Sequence, residues 1–449
     1  MPQDSKQLRV LIIDDEPQIL ESCKSILAPK ASPGQAELDS LASSIFELPT
    51  EAQNLPQDTF TFDITTANQG LEGVALARQA MAEGNPFAIA FVDMRMPPGI
   101  DGLETSNQII EASPGIEVVI VTAYSDIPLE EMARQLGESR FLLLKKPFDP
   151  DELVQMAQFL AYRWQIERLS RAYERFVPKE FLRLLHKDSI LDVEIGDHVE
   201  TQLSVLFADI RSFTTLSEQM NPDENFRFLN SYLGIMGPVI RQHHGVIDKF
   251  IGDAIMALFE TSADDALESG ISMIKALQLY NEGRLNAGYA PIQIGVGINS
   301  GKVMLGTLGE NQRMEGSVVS DTVNVASRIE RLTKRYGLSL IISEALVQQL
   351  KAPESHHLRL IDWALVAGRQ EKVAVYEVYD TDPEETKALK DGLREELEAA
   401  IRMFHKADIK ESRPLFEAIQ SKFPEDPINN LYLTRCQHFE EFGLYEIQE

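Results

Sequence analysis

Two cysteines, Cys23 and Cys436, are all that 449 residues contain. They lie far apart and form no metal-ligand or disulfide pattern, so neither a zinc module nor a disulfide scaffold is expected. No apolar run approaches the roughly 20 residues a membrane helix needs. The N-terminus is polar, without the apolar core of a secretory signal. Positive charge is short as well: 42 Lys and Arg stand against 70 Asp and Glu, a formal net charge of -28. Nucleic acid and anionic membranes both demand clustered cations, so neither is an expected partner. These absences leave a soluble, cytoplasmic protein without membrane insertion as the expectation. The chain is long enough for two to four domains, each with its own core. Its apolar share of 44% and charged share of 25% exclude wholesale disorder.

What is present begins with strands that end in acids. The run Arg9–Ile13 is apolar and β-branched and stops at Asp14, Asp15 and Glu16. Ala88–Val92 stops at Asp93, Val118–Val121 at Thr122, and Phe141–Leu144 at Lys145 and Lys146. Helical segments such as 69–81 and 128–136 alternate with these strands, which predicts a doubly wound parallel sheet over residues 7–148. In such sheets functional groups collect at the carboxyl ends of the strands. All four ends carry them. The pattern resembles the receiver domain of response regulators. That resemblance implies Asp93 as the phospho-acceptor, with Asp14, Asp15 and Asp93 holding Mg²⁺. Thr122 and Lys146 would contact the phosphoryl group, Tyr124 would be the aromatic switch, and a cognate histidine kinase would be the partner. A carboxylate can attack a phosphoryl group once Mg²⁺ and a lysine neutralise the crowded charge. One departure is an insert over residues 29–60, rich in Pro, Ser, Ala and Gln, with the turn signals of a surface loop.

Residues 149–185 read as a linker. Asp149 caps a helix that has Pro150 in first position and Glu152 three residues after the cap. Apolar residues recur at Leu153, Met156, Leu160 and Trp164, then at Leu169, Tyr173 and Phe176, with a phase break between. The helix either packs on its own receiver or forms a parallel dimeric coiled coil, and the second is the favoured expectation.

The stretch Leu203–Thr214 organises the rest. It is a buried-strand pattern that ends at Asp209, with Arg211, Ser212 and Thr214 following at once. Alone it reads equally as a core strand with a capping Asp or as a metal ligand beside a phosphate-binding helix start. Downstream, Ile247–Phe259 reads as a hairpin whose Gly252-Asp253 turn presents a second acid. With the segment Gly316–Arg328 these stretches resemble the catalytic domain of class III nucleotidyl cyclases, over about 177–380.

The resemblance implies an α+β catalytic domain with a ferredoxin-like core (186–380), converting ATP to 3′,5′-cyclic AMP and pyrophosphate. Asp209, Asp253 and the Ile210 carbonyl would hold two Mg²⁺ or Mn²⁺ ions. Asn324 would orient the ribose, and Arg328 would stabilise phosphate charge in the transition state. These two stand one turn apart on a helix and share a face. The substrate-binding set is Lys249, Ser317, Phe213 and Arg369. Lys249 and Ser317 would select adenine, and Ser at that place marks the subclass called class IIIb, some of whose members respond to bicarbonate, which adds bicarbonate as a candidate effector. A second departure falls at Ala367, where the family carries a triphosphate-gripping Lys; Arg369 would supply charge from nearby. In the family the metal carboxylates of one subunit face the transition-state residues of the other, so a homodimer is implied. A guanylate cyclase, or a catalytically weak phosphorylation-dependent scaffold, are the alternatives.

The last segment, 384–449, alternates apolar and charged residues at helical spacing, with Pro424 and Pro427 marking a turn. It resembles one tetratricopeptide-like helix pair with a cap. A structural role is expected before a peptide-binding one, because one repeat buries little. The whole is an α/β multidomain chain with a short helical C-terminal extension.

Overall fold

The structure is a computed structural model that describes residues 7–28, 60–123, 129–137, 140–173, 179–310, 313–365 and 372–442. The chain divides into two compact units, 1–176 and 177–449.

In the first unit five parallel strands, β1 (Gln7–Ile13), β2 (Thr61–Ala67), β3 (Ile89–Asp93), β4 (Glu117–Thr122) and β5 (Phe141–Lys145), lie in the order β2-β1-β3-β4-β5. Helices α1 (Pro17–Leu27), α2 (Gly70–Ala82), α3 (Gly102–Ala112), α4 (Leu129–Leu136) and α5 (Pro150–Tyr173) accompany them. The doubly wound sheet expected from the sequence is therefore what forms. Its β3 and β4 are buried throughout, as strands covered on both faces must be. Chain order reverses between β1 and β3, and that switch point places Asp14 and Asp93 side by side at the carboxyl edge.

Helix α5 starts as its capping sequence predicts, the Asp151 amide donating to Asp149 Oδ1 at 2.8 Å. It carries two apolar stripes rather than one interrupted stripe. Leu153, Ala157, Leu160, Ala161 and Trp164 are buried in the receiver core against β1, β3 and β4. Gln158 pairs twice with the Phe60 backbone, and Arg163 reaches the buried Glu117 at 3.1 Å. The second stripe, Phe159, Tyr162, Ile166, Leu169 and Tyr173, is exposed.

The second unit is built on an eight-stranded sheet. Strands β6 (His198–Ile210), β7 (Val246–Ile251), β8 (Ala254–Phe259), β9 (Ile294–Glu310), β10 (Arg313–Val319), β11 (Leu340–Ser343), β12 (Leu358–Leu365) and β13 (Lys372–Val378) run in the order β12-β13-β11-β9-β6-β8-β7, with β10 paired to β9. One face is covered by α8 (Pro222–Gln242) and α9 (Ala263–Asn286), which bury Leu206, Ala208 and Ile210 of β6. The other face is covered by the short α6 (Lys179–Leu184) and by α10 (Asp321–Tyr336), over Leu203, Val205 and Phe207. The two-residue period of a strand thus sends Asp209 to the α10 face and Ile210 into the opposite core. Remaining helices are α7 (Phe213–Ser217), α11 (Glu344–Val347), α12 (Glu384–His405), α13 (Ile409–Lys422) and α14 (Pro427–Phe442).

Asn221 and Glu224 form a reciprocal capping box at α8, and Pro222 occupies its first turn. At the C-terminus of α8 His244, at φ 59°, takes the left-handed position. Gly245 is needed for space, because a Cβ there would meet the Phe259 ring at 2.6 Å. Helices α12–α14 share a core with α10, β11, β12 and β13. Leu389 is the one large apolar residue they expose among the described residues.

Candidate active site

At the receiver edge Asp14 and Asp93 are almost wholly buried. Lys146 Nζ donates to Asp14 Oδ2 at 2.6 Å and to Asp93 Oδ1 at 2.5 Å. Burial works against the ammonium charge, but hydrogen bonds from both carboxylates outweigh it and hold the Lys146 pKa above its ordinary value. Burial raises Asp14, with Lys146 opposing. The Arg95 amide donates to the other Asp93 oxygen at 2.8 Å. Thr122 is buried at the end of β4, next in the sheet to β3, and Asp15 is half-buried beside Asp14. Tyr124 lies outside the described residues. Hard carboxylate oxygens at a strand edge are the donor set a Mg²⁺ ion takes.

The cyclase unit brings Asp209 and Asp253 together by strand pairing. Strand β6 pairs with β8, and the turn from β7 to β8 places Asp253 beside the end of β6. Gly252 takes φ +66° there, a conformation that suits glycine. The Ile210 amide donates to Asp253 Oδ2 at 3.2 Å. The Ile210 side chain is core, so only its backbone can serve a ligand. Burial first, then the hydrogen bond and charge of Asp253 and the charge of Glu330, push Asp209 up to about 7. Glu330 of α10 is likewise pushed up to about 7, chiefly by burial. Among the described residues no Lys or Arg makes an ion pair with Asp209 or Asp253. Carboxyls crowded together without a counter-charge fit a divalent cation, which would favour the charged form of Asp209.

Glycine decides how α10 meets this pair. A Cβ on Gly297 would lie 2.1 Å from the Glu330 amide nitrogen, and one on Gly295 2.0 Å from Thr333 Oγ1. The helix therefore rests on bare backbone of β9, and Gly295 is the direct partner of Asp209 across the ladder. Ser320 caps the helix, accepting from the Val323 amide at 3.2 Å, and Thr322 Oγ1 donates to the Lys302 carbonyl at 2.8 Å. On that anchored helix Asn324 is exposed and Arg328 half-buried. Neither side chain forms a hydrogen bond or ion pair among the described residues. An arginine held on a rigid helix without a partner is available to a phosphate.

Lys249 and the strand bearing Ser317 also meet. Lys249 Nζ is 3.4 Å from Glu315 Oε1, two residues before Ser317 on β10, and 3.6 Å from Asp248 Oδ2. Ser317 is half-buried, and a Cβ on neighbouring Gly316 would meet the Phe181 ring at 2.5 Å. Phe213 stacks on Phe228 with ring centroids 6.4 Å apart, so its ring packs on the core and its backbone is what remains for a phosphate. Ala367 and Arg369 lie outside the described residues. Glu330 and Asp248 escaped the sequence reading, and Arg211 was read there only beside a phosphate-binding helix start. Arg211 donates to the Thr333 carbonyl at 3.0 Å and to the Leu338 carbonyl. The alternating glycines of β9 were the available signal, since bare backbone on one strand face announces a helix lying close.

With this geometry in view the class of each unit is plain. Residues 197–379 match the family model of the adenylate and guanylate cyclase catalytic domain, and residues 52–158 that of the response regulator receiver domain. The chain joins a receiver domain to a cyclase catalytic domain. An adenylate cyclase of Anabaena cylindrica is 44% identical over 220 residues, covering 48% of this chain and 44% of that protein. A terminal-differentiation specific adenylate cyclase of Dictyostelium discoideum is 32% identical over 291 residues, covering 63% of this chain and 14% of its own. Among solved structures, the adenylyl cyclase CyaB from P. aeruginosa is 30% identical, covering 41% of this chain and 96% of that one, at a TM-score of 0.38. The chain spans less than half the length of these two curated relatives. No helix among the described residues is long and apolar enough to cross a membrane.

Proposed function

We propose that the chain is a phosphorylation-regulated adenylate cyclase, converting ATP to 3′,5′-cyclic AMP and pyrophosphate. The observation that carries this reading is the half-buried Asp209–Asp253 pair without a cation, on the sheet face along which α10 holds an unpartnered Asn324 and Arg328. In the reaction the ribose 3′-oxygen bonds to the α-phosphorus and the bond to pyrophosphate breaks. Divalent metal, when bound, supplies Lewis acidity at the hydroxyl and the phosphates. Asp209, Asp253 and the Ile210 carbonyl hold it. Asn324 orients the ribose, and Arg328 meets the charge that grows on the phosphates. Lys249 donates to the adenine ring, with Ser317 beside it; bicarbonate sensitivity is the corollary of that serine.

Catalysis is that of a homodimer. The exposed stripe of α5 supports it: Phe159, Tyr162, Ile166, Leu169 and Tyr173 fall at alternating spacings of three and four, the repeat of a coiled-coil seam. The other stripe stays buried in the receiver, so a second copy can pair without unseating it. Phosphorylation of Asp93 by a histidine kinase is the proposed input. Phe181 of α6, lying on Gly316 beside Ser317, is a route by which a change in the preceding helix reaches the base-reading strand.

The test is product formation from ATP and from GTP with Mg²⁺ or Mn²⁺, with and without acetyl phosphate and bicarbonate. Cyclic AMP as the dominant product, with a rate that responds to acetyl phosphate, is expected. A preference for GTP would overturn the reading of Lys249 and Ser317, and absence of both products would favour the scaffold.

A further inference from the structure

Helix α10 has a third neighbour besides the sheet and the site. Its Val325, Ile329 and Tyr336 point into the core shared with α12–α14, where Leu397, Phe416 and Tyr432 are fully buried. At the end of α10, Tyr336 Oη donates to Asp362 Oδ2 at 2.6 Å. Asp362 sits at a bulge in β12 and is 3% exposed. It also takes His405 Nε2 at 2.8 Å, Tyr432 Oη at 2.9 Å and Arg435 Nη1 at 2.9 Å, all from the C-terminal helices. Burial would raise this carboxyl, but His405, Arg435 and Tyr336 together hold it below the usual carboxylate range. A second node lies alongside. Arg359 pairs with Glu377 at 2.5 Å and bidentately with Asp426, while Lys390 of α12 pairs with Glu377 and Asp382. Arg211, two residues after Asp209 and the first beyond β6, donates to the Thr333 and Leu338 carbonyls. The last turn of α10 is thus held from two directions, by the segment following Asp209 and by the C-terminal helices.

We propose that the C-terminal helices are a brace that sets the catalytic helix, with Asp362 the hub and Tyr336 the contact, both acting as positioning residues for Asn324 and Arg328. A buried carboxylate with four side-chain donors fixes direction as well as distance, which apolar packing alone does not. The proposal rests on the cyclase reading for its kinetic arm and on the fold alone for its exchange arm.

The experiment uses the full chain. Tyr336→Phe removes one hydroxyl and keeps the ring in its core. Cyclic AMP formation is measured well below the unfolding temperature, in the wild-type and in an Arg328→Lys background, and amide hydrogen exchange is followed over residues 321–332. The expected result is a loss in kcat of about tenfold or more at nearly unchanged KM, since small misplacements of a catalytic group are amplified. In the Arg328→Lys background the same change should cost less than about twofold, because the group it positions is already altered. Exchange over 321–332 should quicken while β9 stays protected. A fall in unfolding temperature with kcat within about twofold, or an equal loss in both backgrounds, overturns the brace. If the wild-type chain makes no product, the cyclase reading has failed. Exchange then decides alone: quickened over 321–332 supports the brace, unchanged sinks it.

Discussion

In the receiver, Lys146 reaches two buried carboxylates at once, and both ion pairs are complete within the chain. In the cyclase unit, Asp209 and Asp253 meet each other and the charge of Glu330, and no cation of the described chain pairs with them. Both clusters arise in the same way, from acids at the ends of buried strands. They differ in what balances the charge. The receiver cluster is part-neutralised by Lys146 before any ligand arrives. The cyclase cluster must take its positive charge from outside, and in its absence holds Asp209 up to about 7. One cluster carries its own counter-charge. The other does not, and burial and crowding of its carboxyls weigh against the fold until a cation is supplied.

The largest effect that would break this contrast is expected from Asp209→Asn. Turnover should fall about 10³-fold, the scale on which charge stabilisation at a phosphoryl site is lost. Stability should move the other way. A carboxyl whose folded pKa is raised gives stability that is complete below its unfolded value and is lost as pH rises through about 7. At pH 8 without metal the Asn variant should therefore melt at least ~2 °C above wild type, the gap should narrow as pH falls, and at about pH 4, close to the ordinary carboxylate value, the two should nearly coincide. Equal melting at both pH values would mean that the pair does not load the fold.

Lys146→Met attacks the other side. Labelling of Asp93 by acetyl phosphate should be lost. The receiver should also lose about 3 kcal/mol at pH 7, since two largely buried carboxylates are left without their partner. That loss should shrink as pH falls and Asp14, already raised by burial, takes up a proton. Thermal unfolding between pH 5 and 8 measures it. A loss independent of pH would point to packing of the lysine stem instead of charge.

Metal addition sharpens the contrast with a smaller effect. Mg²⁺ at 100 times its Kd should stabilise the wild-type cyclase unit by up to about 2.7 kcal/mol, and Asp209→Asn should abolish that gain. In the receiver unit Lys146 competes for the same carboxylates, so the gain there should be smaller and should increase in Lys146→Met. Calorimetry that resolves the two transitions reads both.

How much of this was legible in the sequence follows from distance along the chain. Strand ends were readable because an apolar run that stops at an acid is local. The turn at Gly252-Asp253 and the cap at Asp149 were readable for the same reason. The helix α5 was misread in its phase: Trp164 and Ile166 belong to different faces, and two apolar stripes on one helix give no single period. Phe213 reads as a substrate contact, and its ring stacks on Phe228, which leaves its backbone for that role. Glu330 was missed because its meaning comes from β9, whose Gly295 and Gly297 lie over 30 residues earlier in the chain. The hub at Asp362 joins residues from 336 to 435, and no local pattern announces a buried carboxylate whose donors are that dispersed.

The smallest expected effect is the most telling about how the two clusters communicate. Asp93→Asn keeps the shape of the acceptor and an oxygen for Lys146 or the Arg95 amide, but it cannot form an acyl phosphate. If the receiver signals through the phosphoryl group, basal cyclic AMP formation should stay within about twofold of wild type, the range of a substitution remote from the chemistry. The response to acetyl phosphate should vanish. A basal rate changed by an order of magnitude would assign the signal to the charge balance at Lys146. In that case Lys146→Met and Asp93→Asn, which shift the balance in opposite directions, should move the basal rate in opposite directions. A basal rate unchanged in both variants, with the phosphodonor response lost in both, would leave the phosphoryl group as the signal and the resident cation as its receptor.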